Sequence, residues 1–231
     1  SYAPGTGKLV SPRAYFADDS GELSLDGTWF FDYHRSDPNP NINPEVAFEQ
    51  PFVPETETID VPSHWVLRGD GRWGAPAYTN VDFPFPVDPP FPPEENPVGD
   101  YSRHFMCPES WLALGGQIRL RFEGVESQVV VWVNGKWIGM ARGSRLAHEF
   151  DITQALVPGE NTVTLRVHQF SAGSYLEDQD QWWLPGVFRS VSLRYLPDFS
   201  IEDLWIDTDY EAGQGFATLE LRVRGAQSET L

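Results

Sequence analysis

The chain has 231 residues, of which 40% are hydrophobic and 22% are charged. These proportions are typical of a folded protein with one large domain, or one domain and part of another, and they exclude a disordered chain. The formal net charge of -18, from 34 acidic and 16 basic residues, repels phosphate backbones and argues against nucleic-acid binding.

No run approaches the roughly 18 apolar residues that would span a bilayer, so we expect no membrane segment. The first residues lack the apolar core of a secretory signal, and the missing initiator Met suggests trimming. A processed start would hide such a signal; the expected location is the cytoplasm. The single cysteine, Cys107, excludes an intramolecular disulfide and is predicted to be a small buried hydrophobe, and no two histidines have metal-ligand spacing.

The segment Phe83–Gly99, FPFPVDPPFPPEENPVG, is too rich in proline to form a ladder of backbone hydrogen bonds. We predict an extended loop that lies over the rest of the domain. Because Phe83, Phe85 and Phe91 are interspersed in it, we expect aromatic burial to hold this loop in place, in contrast to a disordered linker.

Helical periodicity is scarce. Glu109–Leu114 is long enough for one turn, and Ile152–Val157 for another, with Asp151 as a possible N-cap. Val129–Val133 is almost wholly apolar, which indicates a central strand covered on both faces. Asn134-Gly135 follows it and favours a type I′ turn, so Val129–Met140 is predicted to be a β-hairpin.

Three stretches alternate between apolar and polar residues, as in a strand with one buried and one solvated face. They are Gln117–Glu123, Thr162–His168 and Thr218–Val223. The side chains predicted to face inward are Ile118, Leu120, Phe122, Val163, Leu165, Val167, Leu219, Leu221 and Val223.

Many short strands joined by Gly and Pro loops indicate an all-β fold, most simply a jelly-roll-type β-sandwich. After Pro197 the pattern restarts, with predicted strands at Ile201–Tyr210 and Phe216–Arg224 joined by the turn Glu211–Gly215. Because two strands do not bury a core by themselves, we expect them to begin a second β-domain, truncated here or continued in a longer parent.

The segment Gly173–Arg189, GSYLEDQDQWWLPGVFR, places Glu177, Asp178, Gln179 and Asp180 beside Trp182 and Trp183. Hydroxyl-binding carboxylates next to flat apolar rings suit a sugar. The alternative is an acidic loop with core tryptophans. A turn at Pro185–Gly186 and a strand over Val187–Tyr195 are predicted to follow.

Candidate catalytic groups are few. Glu177 and Asp180 are a possible glycosidase pair, although neighbouring loop carboxylates more often bind an ion or sugar hydroxyls. There is no Gly-x-Ser-x-Gly elbow and no phosphate-binding glycine loop. Asn80 offers an amide to a sugar hydroxyl, and a turn asparagine that caps its own backbone is the alternative.

Several stretches together resemble the N-terminal sugar-binding domain of the large bacterial β-galactosidases of glycoside hydrolase family 2. They occur in the family's order over Leu25–Pro197. They are LDGTWFF (Leu25–Phe31), VPSHW (Val61–Trp65), PAYTNVDFPF (Pro76–Phe85), PPFPPEENPVGDYSR (Pro89–Arg103), FEGVES (Phe122–Ser127), WVNGKWIG (Trp132–Gly139), SRLAHEFDIT (Ser144–Thr153) and GSYLEDQDQWWLPGVFRSVSL (Gly173–Leu193).

The resemblance implies two domains: residues 1–197, a jelly-roll sugar-binding domain with an N-terminal arm, and residues 198–231, the incomplete start of an immunoglobulin-like domain. It implies a retaining β-galactosidase that hydrolyses β-galactosides such as lactose. The catalytic glutamates would lie in a TIM barrel that this chain lacks, so no catalytic residue is expected here and the 231 residues alone are expected to be inactive.

The resemblance assigns substrate binding to Asn80, Val81 and Asp180, and a sodium ligand to Asp180. It further implies Mg²⁺ held in the absent barrel, contacts with the other domains of the same enzyme, and a homo-oligomer. QWWLPGVF departs from the usual sequence after LEDQD, so Trp182 and Trp183 are expected to reshape the pocket rim. Ala172 and Arg142 stand where relatives often carry Asp and Gln, which argues against a peripheral magnesium site.

Two other function classes remain open. One is a stand-alone, non-catalytic carbohydrate-binding module of similar fold, and the other is a structural β-domain that mediates oligomer contacts through the proline loop. β-Glucuronidases and β-mannosidases share the sandwich, but the ENP loop and LEDQD favour a galactosidase.

Overall fold

The computed structural model describes residues 5–12, 21–38 and 57–225. Within them it contains strands and a few short helical turns. The strands are β1 (Gly5–Gly7), β2 (Leu9–Val10), β3 (Glu22–Ser24), β4 (Gly27–His34), β5 (Glu57–Val61), β6 (Ala77–Thr79), β7 (Val98–Met106), β8 (Gln117–Phe122), β9 (Gln128–Val133), β10 (Lys136–Arg142), β11 (His148–Asp151), β12 (Glu160–His168), β13 (Gln181–Trp183), β14 (Val191–Leu196), β15 (Ser200–Glu211) and β16 (Gln214–Arg224).

Two antiparallel sheets form the body of the described structure. One has the strand order β1-β10-β9-β12-β7-β4-β5, and the other has the order β2-β11-β8-β14-β3. Side chains from both sheets share one apolar core, which includes Phe31 and Leu165 from the first sheet and Leu120 and Leu193 from the second. Burial of these side chains between the layers drives the packing. The predicted all-β sandwich is confirmed.

The centre of the larger sheet follows the sequence pattern closely. β9 lies inside the sheet and is buried along nearly its whole length, as its apolar run predicts. Lys136 pairs with Val133, so Asn134 and Gly135 form the turn, with φ of 50° and 77°. The predicted hairpin is confirmed. The inward positions of β12 are also confirmed, because Val163, Leu165 and Val167 are fully buried.

The predicted solvated face of Gln117–Glu123 is wrong. Arg119 and Arg121, expected to face water, are buried on β8. Their guanidinium groups both bind Glu149 of β11, at Nη1–Oε distances of 3.0 Å and 2.7 Å. Glu202 of β15 also pairs with Arg119, at 2.9 Å. Alternation marks two faces of a strand, but charged residues can face a covered layer when opposite charges meet them there.

Two predictions near the C-terminal end also need correction. The run Val187–Tyr195 is a strand only from Val191 onward, as β14. Leu219 and Leu221 do not face a core: they are 58% and 49% exposed. In the described part of the chain β16 pairs only with β15, and most side chains of this hairpin are exposed, apart from its base, where Glu202 meets Arg119. The hairpin itself is confirmed, with Glu211 paired to Gln214 across a tighter turn than predicted.

Two of the short helical turns occur where the sequence indicates them, and two others, Trp65–Leu67 and Ser174–Glu177, were not predicted. Glu109–Leu114 is helix α1, and Thr153–Ala155 is a 3-10 turn. The N-cap of that turn is Ile152, so the predicted capping by Asp151 is wrong; the Asp151 carboxylate accepts a hydrogen bond from the Thr153 backbone N–H at 3.0 Å, two residues along the chain. No helix in the described residues is long and apolar enough to cross a membrane.

Two further segments have defined places. Cys107 is buried just after β7, and burial raises the pKa of its thiol, as expected for an inert packing residue. Residues 5–12 of the predicted N-terminal arm form β1 and β2. β1 is an edge strand of the larger sheet, and β2 is an edge strand of the smaller sheet. Residues 1–4 and 13–20 of that arm lie outside the described residues, as does the end of the predicted second domain, residues 226–231.

Asp100, buried on β7, should make the stability of the fold depend on acidity. Its carboxylate binds the Arg166 guanidinium through two hydrogen bonds of 2.8 Å and contacts His34 at 3.1 Å. Burial by itself raises the pKa of Asp100, but Arg166 and His34 outweigh it and hold that pKa below its ordinary value. A lowered folded-state pKa means stability that is present above about pH 4 and is lost as the pH falls through the folded-state value.

We therefore expect Asp100→Asn to lower the free energy of unfolding by about 2–3 kcal/mol at pH 7, because Arg166 loses its buried charged partner on β7 and keeps its ion pair with Asp37 at 3.1 Å. The difference from wild type should shrink as the pH falls towards 3. Urea denaturation of the 231-residue chain at several pH values measures it. Glu95→Gln, which alters the exposed ion pair with Arg35, is the control and should cost at most about 1 kcal/mol. A pH-independent Asp100→Asn effect would contradict the assignment.

Candidate functional site

Strands β6 and β13 form a separate two-stranded antiparallel ladder beside the sandwich. Its last pair is Thr79 with Gln181. Asn80 directly follows β6 and Asp180 directly precedes β13, so the register places them opposite each other at the end of the ladder. The structure thus brings together two of the predicted substrate-binding residues that lie 100 positions apart in the sequence.

Asp180 is exposed at this position, and the Tyr78 hydroxyl donates a hydrogen bond to its Oδ1 atom. The hydrogen bond to Asp180 is the main cause that raises the pKa of Tyr78. The bond orients the carboxylate, whose lone pairs suit a sugar hydroxyl or a hard cation. Sequence reasoning missed Tyr78, because only the pairing of β6 with β13 brings its hydroxyl to Asp180.

Asn80 and Val81 follow β6 directly, and both are exposed. The Asn80 amide can therefore donate to and accept from a ligand. Val81 is 83% exposed, which is high for an apolar side chain next to a predicted binding residue. The ladder end therefore exposes the carboxylate of Asp180, the amide of Asn80 and the side chain of Val81. This combination of polar and apolar groups suits a ligand-binding surface.

The ladder rests on an aromatic cluster. Trp183 is buried against Phe85 of the proline loop and Phe170, and its indole N–H donates to Thr79 Oγ1 at 2.8 Å. Trp183 therefore packs the ladder against the aromatic cluster. Trp182, the next residue back, is 54% exposed on the opposite face. The expectation that both tryptophans reshape the rim thus needs correction for Trp183.

The proline loop is anchored at several points. Phe83 and Phe85 pack in the same aromatic cluster, as predicted. Phe91 does not, since it is 65% exposed, but its backbone carbonyl accepts a hydrogen bond from the Tyr175 hydroxyl at 2.8 Å. Asn96 binds the backbone N–H and carbonyl of Phe170, each at 2.9 Å. Polar anchors therefore replace the third aromatic contact.

Glu177 has a structural role. It ends the one-turn helix α2 (Ser174–Glu177), and its two carboxylate oxygens accept hydrogen bonds from the Ser144 N–H at 2.7 Å and the Ser144 hydroxyl at 2.6 Å. Both oxygens are thereby committed to fixing the turn after β10. This arrangement argues against Glu177 as half of a catalytic pair with Asp180.

A metal shell is not complete within the described residues. They contain no group of three or more His, Cys, Asp or Glu side chains that could hold a metal ion. The exposed carboxylate of Asp180 fits as one oxygen ligand of a cation, and other ligands would have to come from outside these residues. Relatives are expected to hold a peripheral magnesium ion with residues at positions 172 and 142. Here Ala172 offers no side-chain oxygen, and Arg142 Nε donates a hydrogen bond to Gln128 Oε1 at 2.7 Å.

Two surface cavities lie elsewhere. One, of about 400 Å³, lies between the proline loop and the larger sheet and is bordered by Arg142, His168 and Asp37. The other, of about 390 Å³, is bordered by Glu57 and other residues near β4. Neither is lined by Asn80 or Asp180. Asn80, Val81 and Asp180 are exposed at the ladder end, so a sugar bound there would need a second wall.

Comparison with known proteins gives a consistent family assignment. A family model described as glycosyl hydrolases family 2, sugar binding domain, matches residues 23–197. A β-galactosidase of Arthrobacter sp. (strain B7) is 48% identical over 229 residues, covering 94% of this chain and 22% of the relative. A β-galactosidase of Pectobacterium atrosepticum is 42% identical over 206 residues, covering 89% and 19%. The chain thus spans about a fifth of the length of these relatives.

Solved structures agree on the fold. A β-glucuronidase from an uncultured Clostridium sp. has a TM-score of 0.64 at 22% identity, over 91% of this chain and 35% of that one. A β-glucuronidase from Ruminococcus gnavus in complex with D-glucaro 1,5-lactone has a TM-score of 0.66 at 19% identity, over 94% and 36%. At these identities the likeness concerns the fold alone.

Proposed function

Because this chain belongs to glycosyl hydrolase family 2, we propose that it is the N-terminal part of a retaining β-galactosidase acting on terminal β-D-galactosides such as lactose. The observation that carries the proposal is the 42–48% identity to proteins named β-galactosidase along nearly the whole chain. The open ladder end with Asn80 and Asp180 supports it, because a shared pocket needs such a half-site.

In this proposal the chain's own residues bind the sugar and select galactose. The Asp180 carboxylate and the Asn80 amide bind galactose hydroxyls, and the Tyr78 hydroxyl holds the carboxylate in orientation. Val81 contributes an apolar contact beside them. A sugar that lacks the matching hydroxyl leaves a polar group unpaired, at a cost of about 1–3 kcal/mol. The acid/base and nucleophile glutamates belong to a barrel elsewhere in the longer protein, and they form and hydrolyse a galactosyl-enzyme intermediate.

The cofactors belong to the same proposal. Asp180 supplies one ligand to a sodium ion, which when bound adds a positive charge next to the sugar hydroxyls. Magnesium is assigned to the barrel, because Ala172 and Arg142 cannot supply the side-chain oxygen ligands of a peripheral magnesium site on this domain. The full-length protein is proposed to be a homo-oligomer and to be located in the cytoplasm.

Residues 198–231 are proposed to begin an immunoglobulin-like domain after the sandwich of residues 1–197. The exposed apolar side chains of β15 and β16 support this, among them Trp205 and Ile206. A hairpin with uncovered apolar faces needs further strands to bury them.

A second candidate is a stand-alone carbohydrate-binding module. The exposed ring of Trp182 beside Asp180 favours it, because an aromatic ring next to a carboxylate suits a sugar without a further domain.

The isolated 231-residue chain is expected to show no hydrolysis of a chromogenic β-galactoside, since the general acid and nucleophile lie outside it. The full-length protein from the same gene should hydrolyse that substrate under the same conditions. Measurable turnover by the isolated chain would contradict the assignment of catalysis to the barrel. Micromolar galactose binding by the isolated chain, with an inactive full-length protein, would favour the binding module.

A further inference from the structure

The cavity between the proline loop and the larger sheet has a volume of about 400 Å³. That volume lies at the lower end of the range for small-molecule sites, about 300–1,000 Å³. Strands β9, β10 and β12 supply side chains to one wall, and the proline loop supplies the other. Neither Asn80 nor Asp180 borders the cavity, so it is separate from the ladder end.

The wall on the sheet side is a chain of hydrogen-bonded polar side chains. Arg142 Nε donates to Gln128 Oε1 at 2.7 Å, and Gln128 Nε2 lies 3.3 Å from His168 Nδ1. His168 Nε2 lies 2.9 Å from Asp37 Oδ2. These contacts fix the orientation of each side chain. A ligand at this wall therefore meets polar groups that are already ordered, and it loses little binding energy to ordering them.

The wall on the loop side is apolar. It consists of residues 90–93, three of which are prolines, and the ring of Phe91 is 65% exposed although it borders the cavity. The backbone of Phe91 is held at two points: its N–H donates to the Asp88 carbonyl at 2.9 Å, and its carbonyl accepts from the Tyr175 hydroxyl at 2.8 Å. An exposed aromatic ring beside hydrogen-bonding groups suits the C–H face of a sugar ring.

The charges around the cavity favour a neutral ligand. Glu94 of the loop borders the cavity, and in the part of the chain that the structure describes its exposed carboxylate has no hydrogen bond or ion pair. Glu94, Asp37 and the net charge of -18 all disfavour an anion. Arg142 on the opposite wall disfavours a small cation. Hydroxyl groups donate to carboxylates and accept from amides and guanidinium groups, so a neutral polyhydroxylated molecule matches both walls.

We propose that this cavity is a further carbohydrate site, which binds a neutral monosaccharide. One face of the sugar ring lies on Phe91, and its hydroxyls bind Glu94 and the polar wall of the sheet. The site is not catalytic and does not depend on the function proposed above, because it uses none of the residues at the ladder end.

The test measures galactose binding by saturation-transfer difference NMR in the full-length protein carrying Asp180→Asn, which weakens binding at the ladder end. We expect saturable binding with a dissociation constant of about 1–10 mM, as suits an open cavity with one stacking contact. Phe91→Ala should weaken it about 3- to 10-fold by removing the ring. Glu94→Gln should weaken it about 3-fold or more by removing the charged acceptor. In an otherwise wild-type protein, neither variant should change kcat/KM for an aryl β-galactoside.

Leu146→Ala is the matched control, because Leu146 is also 65% exposed and does not border the cavity. It should leave the dissociation constant unchanged. The absence of saturable binding up to about 50 mM galactose would overturn the site, as would binding that neither Phe91→Ala nor Glu94→Gln weakens. Tighter binding of galacturonate than of galactose would overturn it as well, because the ligand would then be an anion. Binding that these variants weaken, in a full-length protein inactive on every β-galactoside, would support the site and overturn the proposed function.

Discussion

Replacing Asp180 by asparagine in the full-length protein is expected to lower kcat/KM for lactose by about 100-fold or more and to abolish its dependence on sodium. The carboxylate is proposed to contact both the sugar and the cation, and a hydrogen bond to a charged group contributes about 1.5–3 kcal/mol. Each 1.36 kcal/mol is a factor of ten in rate, so losing two such contacts gives this magnitude. Steady-state kinetics in sodium and in a bulky organic cation measure both effects.

Asp70→Asn is the matched control for this variant. Asp70 is an exposed aspartate in the turn after the 3-10 segment Trp65–Leu67, and its φ of 49° is a conformation that asparagine accepts readily. The control should keep wild-type kinetics. If Asp180→Asn also keeps them, and the enzyme still responds to sodium, the ladder end is not part of the substrate site.

Replacing Glu149 by glutamine is expected to lower the free energy of unfolding of the 231-residue chain by about 3–5 kcal/mol. Glu149 is fully buried between Arg119 and Arg121, and its two oxygens bind one guanidinium each. The amide keeps the shape but removes the charge, so Arg119 and Arg121 each lose a fully buried charged partner and keep the less buried Glu202 and Glu123. Urea denaturation gives the free energy, and hydrogen exchange of the β8 and β11 amides shows where the loss occurs.

Glu160→Gln changes an exposed carboxylate at the start of β12 and should cost less than about 1 kcal/mol. If Glu149→Gln costs no more than this control, water reaches the two arginines and the second face of the smaller sheet is not a buried layer. A large cost confined to Glu149 supports the covered charge network.

Local signals predicted the fold well where the cause of a structure is local. Asn134-Gly135 specifies its turn because both residues adopt positive φ, and the strands around it follow. The solvated face expected for Arg119 and Arg121 was wrong, because burial of that face depends on Glu149 and Glu202, which lie 28 or more positions away in the sequence. Periodicity shows that a strand has two faces, and it does not show what packs on each.

The candidate site follows the same distinction. Asn80 and Asp180 came from the resemblance of YTNV and LEDQD to a family, and only the strand register shows that they lie side by side. Trp182 and Trp183 are neighbours of the same residue type, yet the alternation of β13 exposes the first and buries the second. Tyr78 had no signal of its own, because its hydroxyl acquires a role only through Asp180.

A crystal structure of the full-length protein with galactose bound tests the central claim most directly. The account predicts a sugar between the ladder end and the barrel, with Asp180 and Asn80 within about 2.7–3.2 Å of its hydroxyls or of a cation that contacts them. A galactose bound in the barrel with Asp180 turned to solvent, beyond the reach of the sugar or any such cation, would contradict it.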